Sequence, residues 1–161
     1  MEINKYMVKA KLRNEDKWIY GYTIGNGIVN VNKSNIWDVS TPLIASAIEW
    51  TKKDTICRPT MLLDKNGNVI WENDVVKLHY FYQSGTLEGS CEEEMEMVGI
   101  VVYDDECFAW GITSLNEKEE DIELFAYLPL HEESVEVIGN IYDNPELLQT
   151  QDDLKEIIEG D

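Results

Sequence analysis

Many short strand-like segments separated by turn chemistry make up much of this chain. Asn14-Glu15-Asp16, Gly25-Asn26-Gly27, Asp64-Lys65-Asn66-Gly67, Glu72-Asn73-Asp74 and Asp104-Asp105-Glu106 all sit between apolar runs. Asn, Asp and Gly suit such places because their side chains bond back to the local backbone or tolerate positive φ. The segments between them have the short, β-branched and aromatic character of strands. Residues 5–13 alternate, with Tyr6, Val8, Ala10 and Leu12 on one side and Lys5, Lys9, Lys11 and Arg13 on the other, which predicts a half-buried strand with a basic outer face. Residues 17–24, 28–31, 61–63, 68–71, 75–78, 95–103, 107–113 and 134–142 read as further strands. The fold class expected is mainly β, a small barrel or twisted antiparallel meander with peripheral short helices.

Helices are expected in three places. Thr41 and Pro42 suit the N-cap and first position of a helix over 42–50, closed by Lys52-Lys53-Asp54. Asn144-Pro145-Glu146-Leu147-Leu148 opens a second with the same capping logic, and 152–158 forms a helical tail. Residues 83–94 are polar and contain glycine, and read as a loop. The organisation expected is a β-meander with a short helix over 1–60, an acidic β region over 61–148 and a helical tail over 149–161.

Hydrophobic residues make up 43% of the chain, enough to build a core. No apolar run is long enough to span a bilayer, and the first residues lack a signal-peptide pattern, so a cytoplasmic location is expected. Cys57, Cys91 and Cys107 are too widely spaced for a CxxC pair and read as reduced thiols, with Cys107 a small core residue beside Phe108. Charge is divided unevenly. Residues 1–60 carry nine bases against six acids, a net of +3, whereas the remainder carries 26 acids against Lys65, Lys77, Lys118 and Lys155, a net of −22. Such a surface repels phosphate backbones and attracts basic proteins.

Sites for chemistry are scarce. His79 and His131 are the only histidines, each in a strand-like context, and no nucleophile elbow, Walker loop or dinucleotide fingerprint occurs. Carboxylates cluster without calcium-loop spacing. The chain therefore reads as a non-enzyme with no catalytic, cofactor-binding or metal residues. The candidate interaction surface is acidic: Glu92, Glu93, Glu94, Glu96, Asp104, Asp105, Glu119, Glu120 and Asp121. The alternative is a nucleic-acid face of Lys5, Lys9, Lys11 and Arg13, with Trp18, Tyr20 and Tyr22 alternating along one strand face as a stacking platform. The same basic face could dock on the acidic region of a neighbouring copy, giving a homo-oligomer.

Thr60, Leu62, Asp64, Lys65, Asn66 and Gly67, followed by Ile70, Glu72, Asp74, Val75 and Lys77, resemble the signature of the YopX family. Glu136 through Leu148 resembles that family's closing motif almost without change, and Lys17–Tyr22 and Gly99–Asp104 add weaker similarity. Met61 and Asn73 stand where the family usually has glycine, and Asn73 suits a retained left-handed turn. The resemblance implies a phage or prophage protein of low-GC Gram-positive bacteria, located in the host cytoplasm, with an SH3-like barrel in the 61–148 region. It supplies no activity, and the matching residues have the chemistry of turns, caps and core. The function expected is an accessory interaction module whose partner is a host or phage protein with a basic surface, acting as an inhibitor of a host nucleic-acid enzyme or defence system.

Overall fold

Strands do occupy the stretches between the turns, but their pairing overrides several local expectations. The computed structural model describes residues 3–24, 27–30, 48–86, 89–115, 122–124 and 134–148. The chain divides into two units, Met1–Met61 and Leu62–Asp161.

In the first unit, β1 (Val8–Lys11), β2 (Trp18–Ile24), β3 (Gly27–Asn30) and β4 (Ile48–Trp50) form an antiparallel sheet in that order. Val8, Ala10, Ile19 and Ile28 are buried together, with Leu12 and Ile56 packed against them. The β2–β3 hairpin closes on the pair Ile24–Gly27, as the Gly-Asn-Gly signal requires. The helix expected over 42–50 is not formed at its end: Ile48–Trp50 is a strand paired with Gly27–Val29. Residues 42–47 lie outside the described residues. The basic cluster that was to close the helix instead enters a single 3-10 turn, Lys53–Thr55.

The far edge of β1 is occupied as well. Lys9 N–H donates to Cys57 O (3.0 Å) and Cys57 N–H donates to Lys9 O (2.8 Å). Leu12 bridges to Thr51, with Arg13 N–H donating to Trp50 O (2.9 Å) and Lys52 N–H to Lys11 O (3.0 Å). The two outer strands of the sheet thus meet through one bridge, short of a continuous ladder.

In the second unit, β7 (Asp74–Thr86), β8 (Gly89–Asp104), β9 (Ala109–Ser114), β10 (Ile122–Leu124) and β11 (Val135–Asn140) form a sheet ordered β10-β9-β8-β7-β11. All neighbouring strands in it are antiparallel. The sheet is open, not the closed SH3-like barrel expected for this region. Among the described residues β11 pairs with β7 alone and β10 with β9 alone, so each ends the sheet as an edge. Ile70, Val76, Leu78, Met97, Val101, Ile112 and Val135 form the core, with Trp110 and Val137 against it. A register shift between Val137 and Gly139 bends β11.

The signature residues hold the backbone at the start of this unit. Between β5 (Pro59–Leu63) and β6 (Val69–Trp71), which pair as a two-stranded sheet, Asp64 directs the turn and Gly67 takes φ +79°. Between β6 and β7, Asp74 Oδ2 accepts the Trp71 N–H at 2.7 Å and Asn73 sits at φ +65°. At the closing motif, the helix expected from Asn144 onward is only a 3-10 turn, Pro145–Leu148. The Asn144 side chain does not cap it. Its Oδ1 accepts the Asn140 N–H at 3.4 Å and its amide donates to Glu146 at 3.1 Å. The tail expected over 152–158 lies outside the described residues.

Met61 also keeps the left-handed conformation, at φ +66°, where the family resemblance has glycine. A side chain there clashes with the backbone at roughly 1–2 kcal/mol, and the Met61 side chain is exposed and contributes little packing. Met61→Gly is therefore expected to stabilise the protein by about 1 kcal/mol, net of glycine's greater chain entropy. A raised urea midpoint at unchanged slope checks this; a lowered midpoint would mean that packing by Met61 outweighs the strain.

Candidate functional site

The longest hairpin of the second unit carries most of the acidic residues singled out above. The β11 register covers Asp74 to Leu78 of β7, and the β9 register covers Gly99 to Asp104 of β8. Beyond those limits, Tyr80–Thr86 and Gly89–Met95 pair only with each other among the described residues. The result is a two-stranded arm in which Glu92, Glu93 and Glu94 stand opposite Gln83, Tyr82 and Phe81. Residues 83–94, expected as a loop because they are polar and contain glycine, lie largely in these two strands. Continuation of the backbone ladder from Val75–Ile100 makes them strand.

At the base of the arm lies a cleft of about 470 Å³ lined by Lys65, Asn66, Lys77, His79, Glu96, Ser134 and Glu136. Lys65 Nζ is 2.7 Å from Glu136 Oε2, and Lys77 Nζ is 2.8 Å from Glu96 Oε1. The Lys77 ammonium, by hydrogen bond and by charge, holds the Glu96 carboxyl below its ordinary range, with His79 adding to the effect. The Glu96 carboxylate in turn raises Lys77. Half-exposed pairs of this kind add little to stability, but they fix where the charges stand. His79 donates its backbone N–H to Ser134 O at 2.9 Å and pairs in register with Glu96. Sequence reading named Glu96 but missed Lys65, Lys77 and Glu136 as its surroundings. The pairing of β11, β7 and β8 brings Glu136, Lys77 and Glu96 together, the Lys65 N–H donates to Val135 O at 2.8 Å, and the alternation of Val76, Lys77 and Leu78 was the one available sign that Lys77 faces away from the core. Among the described residues, no group of three or more His, Cys, Asp or Glu side chains could hold a metal ion.

Asp104 and Asp105 sit elsewhere, at the β8–β9 turn. Asp104 Oδ1 accepts the N–H groups of Glu106 (2.7 Å) and Cys107 (3.0 Å). The bond from Cys107, then that from Glu106, holds its carboxyl below the ordinary value. Asp104 is thus a turn former first, while Asp105 is exposed. Cys107 is not the core residue expected, and neither it nor Phe108 is buried. Both are exposed, Phe108 at φ +53°, because the turn wraps around the Asp104 carboxylate and points them outward. That carboxylate also raises the Cys107 thiol. Glu119, Glu120, Asp121 and His131 lie outside the described residues.

Only half of the expected basic strand face is presented to solvent, at Lys5 and Arg13. Lys9 and Lys11 are buried, Lys11 being 4% exposed. Their ammonium groups lie 5.1 and 5.7 Å from the centre of the Trp18 ring, and Lys11 Nζ is 2.6 Å from Asp16 Oδ1. Long lysine stems bury readily when the charged end finds a ring face or a carboxylate. Tyr6, expected to face inward, is instead exposed, with Lys5 Nζ 5.1 Å from its ring centre. Arg13 is exposed. Trp18, Tyr20 and Tyr22 are half-buried on one face of β2, and the Tyr22 hydroxyl accepts from Asn4 Nδ2 at 2.9 Å. Trp18 serves the two lysines, so the stacking platform loses its largest member.

No helix among the described residues is long and apolar enough to cross a membrane. A family model described as YopX protein matches residues 9–149. No curated protein matches the chain.

Proposed function

The chain belongs to the YopX family of phage-associated proteins, and from that premise we propose that it is a non-enzymatic module that binds a basic protein surface through its acidic arm. The observation that carries this reading is the arm itself: Glu92, Glu93 and Glu94 on a ribbon flanked by no third strand among the described residues. The two described lysines beyond residue 61 do not neutralise it, since Lys65 and Lys77 are held by Glu136 and Glu96.

A finer form of the proposal names the partner's chemistry. A run of three glutamates on the arm suits the cationic groove of a host nucleic-acid enzyme or defence protein, which it would block.

Capture from host lysate tests this. The wild-type chain should retain a specific partner that Glu92→Gln, Glu93→Gln, Glu94→Gln loses. Retention should also fall between 0.1 and 1 M salt, as the Debye length shrinks from about 10 to about 3 Å. A set of retained proteins that is identical for the two chains and insensitive to salt would refute the reading.

A further inference from the structure

The bridge that brings the outer strands of the first unit together also assembles residues from distant parts of the sequence. Arg13, Trp50, Thr51, Lys52 and Lys53 line a cleft of about 370 Å³. Three of the five carry positive charge, and Trp50 is 62% exposed. Among the described residues, Arg13, Lys52 and Lys53 form no ion pair, and neither Glu49 nor Asp54 lines the cleft.

Thr51 supplies a second, independent sign. It is 6% exposed, and its Oγ1 is a buried polar atom with no hydrogen-bond partner among the described residues. Buried hydroxyls are almost always satisfied, so an orphan one lining a cationic cleft asks for a ligand oxygen or donor. Its neighbours are well satisfied: Arg13 N–H donates to Trp50 O and Lys52 N–H to Lys11 O, which fixes the backbone around it.

From this juxtaposition we infer that the cleft binds a nucleotide, with the phosphate held by Arg13, Lys52 and Lys53, the Thr51 hydroxyl completing the polar contacts and the base stacked on Trp50. An exposed indole beside several cations is the combination that holds single-stranded nucleic acid without reading its sequence. The ligand is either a unit of such a strand or a free nucleotide, since both offer the same ring and phosphate. The net charge of the whole chain opposes this binding, but residues 1–60 carry +3 and the cleft draws on that excess.

The test is fluorescence anisotropy of a labelled single-stranded oligothymidylate titrated with the full chain at low salt, with thymidine monophosphate as competitor. Saturable binding is expected, with log affinity falling against log salt at a slope of about −0.7, as for one neutralised phosphate on a single strand. Trp50→Ala should weaken binding about tenfold or more, and Lys52→Ala with Lys53→Ala should reduce it comparably. Each replaces exposed side chains, and unchanged melting temperatures would show that the fold is kept. Thr51→Val should weaken binding while leaving the melting temperature unchanged or raised. Full competition by the monophosphate identifies a free nucleotide as the ligand, and failure to compete identifies a strand. The inference falls if neither probe binds at low salt, or if binding survives intact in the Trp50 and double-lysine variants.

Discussion

Asp64→Ala should destabilise the second unit by about 3 kcal/mol, measured as a fall in unfolding free energy by urea titration. Asp64 is 4% exposed, and its carboxylate is an acceptor for four donors. Oδ1 takes the N–H groups of Asn66 (2.9 Å) and Asn68 (2.8 Å), and Oδ2 takes Asn68 Nδ2 (3.3 Å) and the Val137 N–H (3.4 Å). One carboxylate therefore shapes the β5–β6 turn and ties it to β11. Alanine leaves these donors without their acceptor, at roughly 1–3 kcal/mol for each group that stays buried, reduced where water reaches it. Asp64→Asn keeps one acceptor oxygen and should lose less. A loss below about 1 kcal/mol for alanine would show that the turn holds without the carboxylate.

The same residue gives a pH dependence of known sign. Burial alone would raise the Asp64 carboxyl, but the hydrogen bonds from Asn68, Asn66 and Val137 outweigh it and hold the group below its ordinary value. A carboxyl depressed in the folded state stabilises fully above its unfolded value, near 3.9. That contribution is lost as pH falls through the folded value. The stability gap between wild type and Asp64→Ala should thus be constant near neutrality and narrow in acid below about pH 4. A gap that widens in acid would reverse the assignment.

Gly21→Ala should cost the first unit about 3 kcal/mol or more, among the larger penalties for overpacking. A Cβ built at Gly21 would lie 1.9 Å from Val29 O and 2.5 Å from Ile28 Cγ2. The nearer obstacle is backbone, so no rotamer change relieves it, and β2 must move away from β3. Amide hydrogen exchange should show protection falling across Trp18–Ile24 and Gly27–Asn30, with strands β7 to β9 unaffected. Gly27→Ala meets its nearest backbone atom, Glu49 O, at 2.8 Å and should be milder. Equal losses at the two positions would mean that close approach is not what Gly21 serves.

What could be read from residues alone was the chemistry of single turns. Asp64, Gly67 and Asn73 identify themselves because their side chains, or the lack of one, act within a few residues. What could not be read was any feature made by pairing at a distance. The lysines of β1 alternate as a solvent face should, yet Trp18 and Asp16 cover them. Ile48–Trp50 reads as the end of a helix in sequence but has a strand partner in space. The same holds for the sites: the glutamates of the arm are visible as composition, whereas the meeting of Arg13 with Trp50 depends on a bridge between residues 12 and 51.

That bridge bears on how the chain behaves when crowded. A sheet rim with free amides and carbonyls is a template for another chain, and fibres grow from such rims. Here the outer rim of β1 is occupied by Cys57 and Thr55, the latter accepting the Lys11 N–H at 2.9 Å, and the end of β4 by Arg13. Among the described residues the rim of β1 has little left to recruit a neighbour, so high concentrations should not turn it into a seed for polymerisation.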